Sequence, residues 1–113
     1  AVSLDNAKHV VDTIDLLEII MSPQHRLYTR GRAIAALGVR TDREVGAHLS
    51  FIIDGELELV LKQQAIRSLA RGWGRHFPHR ALSILGDQLA IQTGTLRANI
   101  RTHFEFLQRA VSR

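Results

Sequence analysis

The stretch Leu27-Tyr28-Thr29-Arg30-Gly31-Arg32-Ala33-Ile34-Ala35-Ala36-Leu37-Gly38 is restated 32 residues later, from Leu27 to Leu59, as Leu59-Val60-Leu61-Lys62-Gln63-Gln64-Ala65-Ile66-Arg67-Ser68-Leu69-Ala70. The two copies share a leading Leu, a basic residue three on (Arg30, Lys62), Ala-Ile at six and seven, Leu at ten and a small residue at eleven. Leu, Ile and Leu at these intervals lie on one face of a helix. A repeat at this spacing predicts helical pairs that bury their apolar faces against one another. Gly31, Ala33, Ala35 and Ala36 add so little bulk that neighbouring helices can approach the first copy from more than one side.

The residues around the repeat extend it. Thr41-Asp42-Arg43-Glu44 reads as a capping box, with Thr41 and Glu44 satisfying free backbone N–H groups of a third helix. Val45, Leu49, Ile52 and Ile53 follow on one face, and Phe77, Ala81, Ile84 and Leu85 restate that spacing in a fifth helix. The partner helix therefore repeats as well. Upstream, Asp5 caps an expected first helix with Ala7, Val10, Val11, Ile14, Leu17 and Met21 inward, and Asp12, Asp15 and Glu18 form a solvated face. Ser22-Pro23 is expected to cap the second helix, and Gly38 to end it in a left-handed conformation. Acidic Glu56 and Glu58 open a fourth helix whose negative end Arg67, Arg71 and Arg75 complement without any ligand. Leu59, Ile66, Leu69, Ala70 and Trp73 share one face, and Gly72 and Gly74 break the chain around the single Trp, which is either a core plug or displayed at the break. Thr93-Gly94-Thr95 caps a sixth helix with the stripe Leu96, Ile100, Phe104, Leu107 and Val111.

The expected architecture is all-α: one domain, a short right-handed α-α superhelix of about six helices, with two full helical hairpins flanked by half repeats. The 113 residues suffice for one core, and the 45% hydrophobic content is that of a globular chain. The chain begins at Ala1 rather than Met and is expected to be a piece of something longer. No apolar run approaches the ~20 residues that span a bilayer, and the expected setting is cytoplasmic, without a membrane partner.

The pattern carried by Leu27, Ala33, Ile34, Leu37 and Gly38, and again by Leu59, Ala65, Ile66, Leu69 and Ala70, resembles HEAT or HEAT-like repeats of the armadillo-related class. The likeness extends from Leu27 to Leu89. It implies a scaffold whose second helices present a surface to another macromolecule; armadillo-like and other helical-hairpin repeats remain open alternatives.

Chemistry is thinly represented. Cys is absent, which excludes disulfides, thiolate metal sites and Cys nucleophiles. The six His are scattered, with only His76 and His79 close and no third ligand nearby, so no metal or other cofactor is expected. The Ser residues sit in no nucleophile motif, and no phosphate-cradling Gly loop precedes a Lys. The reading is therefore a non-catalytic scaffold or adaptor that binds another protein or its own copy, with no small-molecule substrate.

Charge supports an alternative. Thirteen of the 15 basic residues are Arg and the formal charge is +4, which fits either anion recognition or a compositional bias of the genome. Arg26 and Arg30, Arg67 and Arg71, and Arg97 and Arg101 are i, i+4 pairs able to track a phosphate backbone, while Trp73, between Arg71 and Arg75, offers a stacking surface. HEAT-like DNA glycosylases pair Trp with an acidic residue, but Phe77 stands four residues after Trp73. Phe106 lies off the sixth helix's stripe and is expected to mark an exposed contact surface or an end of the stack covered by another subunit. The candidate binding residues are thus Arg67, Arg71, Trp73, Arg75, Arg97, Arg101 and Phe106.

Titration with a short duplex and a single strand at low and physiological salt separates the two readings. Nucleic-acid recognition predicts binding whose salt slope falls by about one phosphate contact in Arg71→Ala and in Arg101→Ala; no binding at low salt excludes it.

Overall fold

In the computed structural model, residues 12–112 are described. They contain six α-helices and no strand: α1 Thr13–Met21, α2 Leu27–Gly38, α3 Val45–Asp54, α4 Leu59–Arg67, α5 Pro78–Ile91 and α6 Gly94–Val111. Between α4 and α5 the helix does not stop but loosens, first into a π turn at Ser68–Gly72 and then into a 3-10 turn at Trp73–Arg75.

α2 packs on α4 as closely as α3 does, and among helices adjacent in the chain the closest packing lies within α1–α2, α3–α4 and α5–α6. These are the pairs joined by short connections, which force antiparallel neighbours. The close hairpins are therefore one helix out of phase with the repeat read from the sequence: three pairs, rather than two pairs with flanking halves. Alternate helices also touch. Gln88 and Gln92 of α5 and its C-terminus donate to Ser50 and Asp54 of α3 at 3.2 and 3.3 Å, so these two helices run parallel. Along α2 and α4, Arg30 meets Glu58 and Gly38 meets Ser68, the same parallel order. The result measures 42 × 28 × 18 Å with a radius of gyration of 13.5 Å, close to the ~13 Å of a globule of this size.

One apolar core runs through all six helices and includes Leu16, Ile20, Ile34, Leu37, Leu49, Ile52, Ile53, Leu61, Ile66, Leu69, Leu85 and Ile100. Trp73 closes it. Its side chain is 1% exposed, its indole Nε1–H donates to the Asp42 carbonyl at 2.9 Å, and its ring stacks on Phe77 with centroids 4.8 Å apart. Gly46 on α3 makes room for it, since a Cβ there would lie 2.5 Å from the ring. Arg30 provides a polar clamp. Only 3% exposed, it donates from Nε to the Ile20 carbonyl at 2.8 Å and pairs with Glu58 at 3.1 Å, tying the end of α1 and the start of α4 to α2. A hydrogen bond from a charged donor contributes about 1.5–3 kcal/mol in such settings.

Several local expectations give way to these tertiary contacts. Asp5, Ala7, Val10 and Val11 lie outside the described residues. Asp12 is not on a solvated helix face but is the N-cap of α1, its carboxylate accepting from the Asp15 N–H at 3.0 Å. Leu16 and Ile20 face inward while Ile14 and Met21 are exposed, because α1 packs mainly on α2 and turns a narrow face to it. Ser22 closes α1 rather than opening α2, and its carbonyl accepts from the His25 N–H in the intervening turn. Thr41 and Glu44 make no capping bonds. Their segment is held instead by Trp73 on the Asp42 carbonyl and by Arg40 against the Asp42 carboxylate. Thr93 makes no side-chain cap either, and the positive φ falls on Gly94. Gly38 is not left-handed; it is small because a Cβ there would lie 2.6 Å from that of Ser68. Leu59 is exposed, and Leu61 takes its place in the core, because α4 is approached by α2 and α6 as well as α3.

Trp73→Ala is expected to destabilise the domain by about 3–5 kcal/mol, and Gly46→Ala by about 1–3 kcal/mol through overpacking. Trp73→Phe keeps most of the volume but orphans the Asp42 carbonyl, with an expected loss of about 1–3 kcal/mol. Urea midpoints measure all three, and a wild-type midpoint in Gly46→Ala contradicts the close fit.

Candidate anion-binding groove

The loosened end of α4 does more than seat Trp73. By carrying the chain on from Arg67 through Arg75 without a sharp turn, it leaves one wall of an open groove of about 710 Å³. Arg67, Arg71 and Arg75 form that wall, together with His79 from the start of α5. Ala35 of α2 and Val39 just past its end also line it, and the C-terminal half of α6 supplies an apolar floor of Phe106, Leu107, Ala110 and Val111.

No Asp or Glu lines this groove, and among the described residues no carboxylate lies within ion-pairing distance of Arg67, Arg71 or Arg75. Three permanent positive charges thus stand beside apolar surface with no anion among the described residues to balance them. The Arg71 guanidinium lies over the Phe106 ring, 3.8 Å from its centroid. Stacking fixes the plane of the guanidinium, and its edge keeps its N–H donors for a ligand.

Four of the seven residues singled out from the sequence meet here: Arg67, Arg71, Arg75 and Phe106. The other three do not. Trp73 points into the core and stacks on Phe77, which removes it as a platform for a base. Arg97 is half-buried and donates from Nε to the Leu89 carbonyl at 3.1 Å, securing the end of α5 much as Arg30 secures that of α1. Arg101 is exposed on α6 and does not line the groove. Phe106 is not displayed as expected but half-buried under Arg71. Its helix packs on both α4 and α5, so it has two inward faces: Phe104 lies toward Gly86 of α5, and Phe106 belongs to the other face.

His103, one of the six scattered His, is drawn into this region from α6. Its Nδ1 is buried without a hydrogen-bond partner, as is Oδ1 of Asn99 one turn earlier on α6. Burial first, then the charges of Arg71 and Arg67, hold the imidazole below its ordinary pKa of 6.5. The i, i+4 spacing of Asn99 and His103 was visible; the approach of the two Arg from α4 was not.

Among the described residues no three potential metal ligands gather, and no helix is long and apolar enough to cross a membrane. No family model, curated protein or solved structure matches this chain.

The unfolded state binds a proton at His103 near pH 6.5, whereas the native state does so only at lower pH. The native preference for the neutral ring is therefore fully present above pH 6.5 and is lost as pH falls through the window down to the lowered native value. An NMR titration of the imidazole is expected to show that lowered value, and Arg71→Gln is expected to move it back toward 6.5. An ordinary titration in the wild type contradicts the burial.

Proposed function

We propose that this is a non-catalytic scaffold or adaptor domain of HEAT-like, right-handed helical-hairpin type, and that it docks a segment of another protein in the groove walled by α2, the end of α4 and α6. The observation that carries this reading is the union, in one open depression, of an apolar floor with three Arg side chains that have no carboxylate partner among the described residues. The lining joins an apolar strip of α6 to a row of guanidiniums, a combination that suits a chain segment carrying both apolar and charged side chains. The 32-residue repeat and the parallel order of alternate helices support the family reading, and a cytoplasmic setting belongs to the same proposal.

Nucleic acid is the weaker reading. Stacking on exposed aromatics and a continuous basic track are its usual supports. Here Trp73 is buried, Arg97 and Arg30 serve backbone carbonyls, and the groove floor is apolar.

Selection from a random displayed-peptide library, followed by amide chemical-shift mapping of an enriched peptide, tests the docking reading. The expected shifts fall on Val39, Ser68, Arg71, Phe106 and Ala110. Enrichment of peptides that perturb only the α3–α5 side, or no enrichment, overturns it.

A further inference from the structure

The charges of the groove say more about its occupant than its shape does. We infer that the groove takes an acidic amphipathic segment of a partner protein, with carboxylates against Arg67, Arg71 and Arg75 and apolar side chains on the floor formed by α6. This rests on the docking reading above and names its ligand.

Charge complementarity is the first support. The four ionisable side chains lining the groove are Arg67, Arg71, Arg75 and His79, all of one sign or neutral. Elsewhere in the fold, Arg30 and Arg40 each have a carboxylate within 4 Å, so the domain does pair its Arg where packing requires it. The three in the groove face an anion that the domain itself does not provide among its described residues.

The floor sets the second requirement. Phe106, Leu107, Ala110 and Val111 span about 8 Å of α6 at 1.5 Å per residue, which matches roughly one and a half turns of a docked helix. Val39, 63% exposed, extends that apolar surface on the α2 side. A highly charged, wholly polar chain would satisfy the Arg wall and leave this surface wet. An amphipathic helix with acidic residues flanking an apolar stripe covers both.

Burial first, and then the charges of Arg71 and Arg67 from the end of α4, oppose protonation of His103 on α6. Carboxylates placed on those guanidiniums cancel part of the second contribution.

Four probes test the inference by calorimetry and NMR on the whole domain: a synthetic helical peptide with Glu flanking a Leu stripe, the same peptide with Lys for Glu, a Glu/Ser peptide without apolar residues, and a single-stranded oligonucleotide of equal charge to the first. The Glu/Leu peptide is expected to bind at least about tenfold more tightly than each of the others. Arg67→Gln with Arg71→Gln lowers that affinity by about tenfold, Val39→Ser by a few-fold, and neither changes the amide spectrum beyond the groove. Tighter binding of the oligonucleotide overturns the inference, as does Glu/Leu binding whose amide shifts fall outside the groove. Preference for the Lys peptide in the groove overturns the charge assignment while leaving docking intact. Failure of every peptide removes both.

Discussion

Burial of Trp73 is the constraint on which the rest of the structure depends. An indole occupies more volume than any other side chain, and its N–H must find an acceptor when it leaves water. Here the acceptor is the Asp42 carbonyl in the α2–α3 connection. Satisfying it pulls the end of α4 toward that connection, and Gly46 lets α3 approach the ring. The helix then cannot end where an ordinary α-helix would, so it loosens through a π turn into a 3-10 turn before α5 starts at Pro78. That extension carries Arg71 and Arg75 past the end of α4 proper and turns a helix terminus into a groove wall.

Arg side chains divide into two kinds in this domain, and sequence position alone does not sort them. Arg30 and Arg97 donate to carbonyls of the preceding helix of their hairpin, bonds that hold each pair together at one end. Lys62 occupies the same place in the repeat as Arg30, yet it is half-buried without an ion pair among the described residues. The repeat thus preserves a basic residue without preserving its task. Among the described residues Arg67, Arg71 and Arg75 have neither a carbonyl nor a carboxylate partner, and Arg71 rests on Phe106. Cations left unpaired beside apolar surface retain their interaction strength for a ligand, because desolvation on docking strengthens the contact that forms.

Legibility of the fold was high where the apolar period is long. The inward positions of α3 were readable because Val45, Leu49, Ile52 and Ile53 bury one continuous face. It was low at the ends of helices. Thr41 and Glu44 fit a capping pattern and make no cap, since a long-range bond from Trp73 holds the neighbouring backbone. Legibility of the candidate site followed the same division. Arg67 and Arg71 share a helix side at i, i+4, so their union could be read; the i, i+4 pairs Arg97–Arg101 and Arg26–Arg30 split because a helix that packs on two neighbours draws one member inward.

The sequence by itself determined the all-helical class, the burial of the repeated Ala-Ile pair and of the Leu ten residues into each copy, and the excess of Arg over carboxylate. Those properties are local or additive: period, volume and charge are fixed residue by residue. Only the tertiary structure decided which helices pair most closely, that Trp73 is core rather than display, that Phe106 lies under Arg71, and that three Arg share a groove without an acid. Each of these depends on which surface of a second or third helix arrives opposite, and an N–H or a guanidinium takes whichever acceptor that arrival brings within reach.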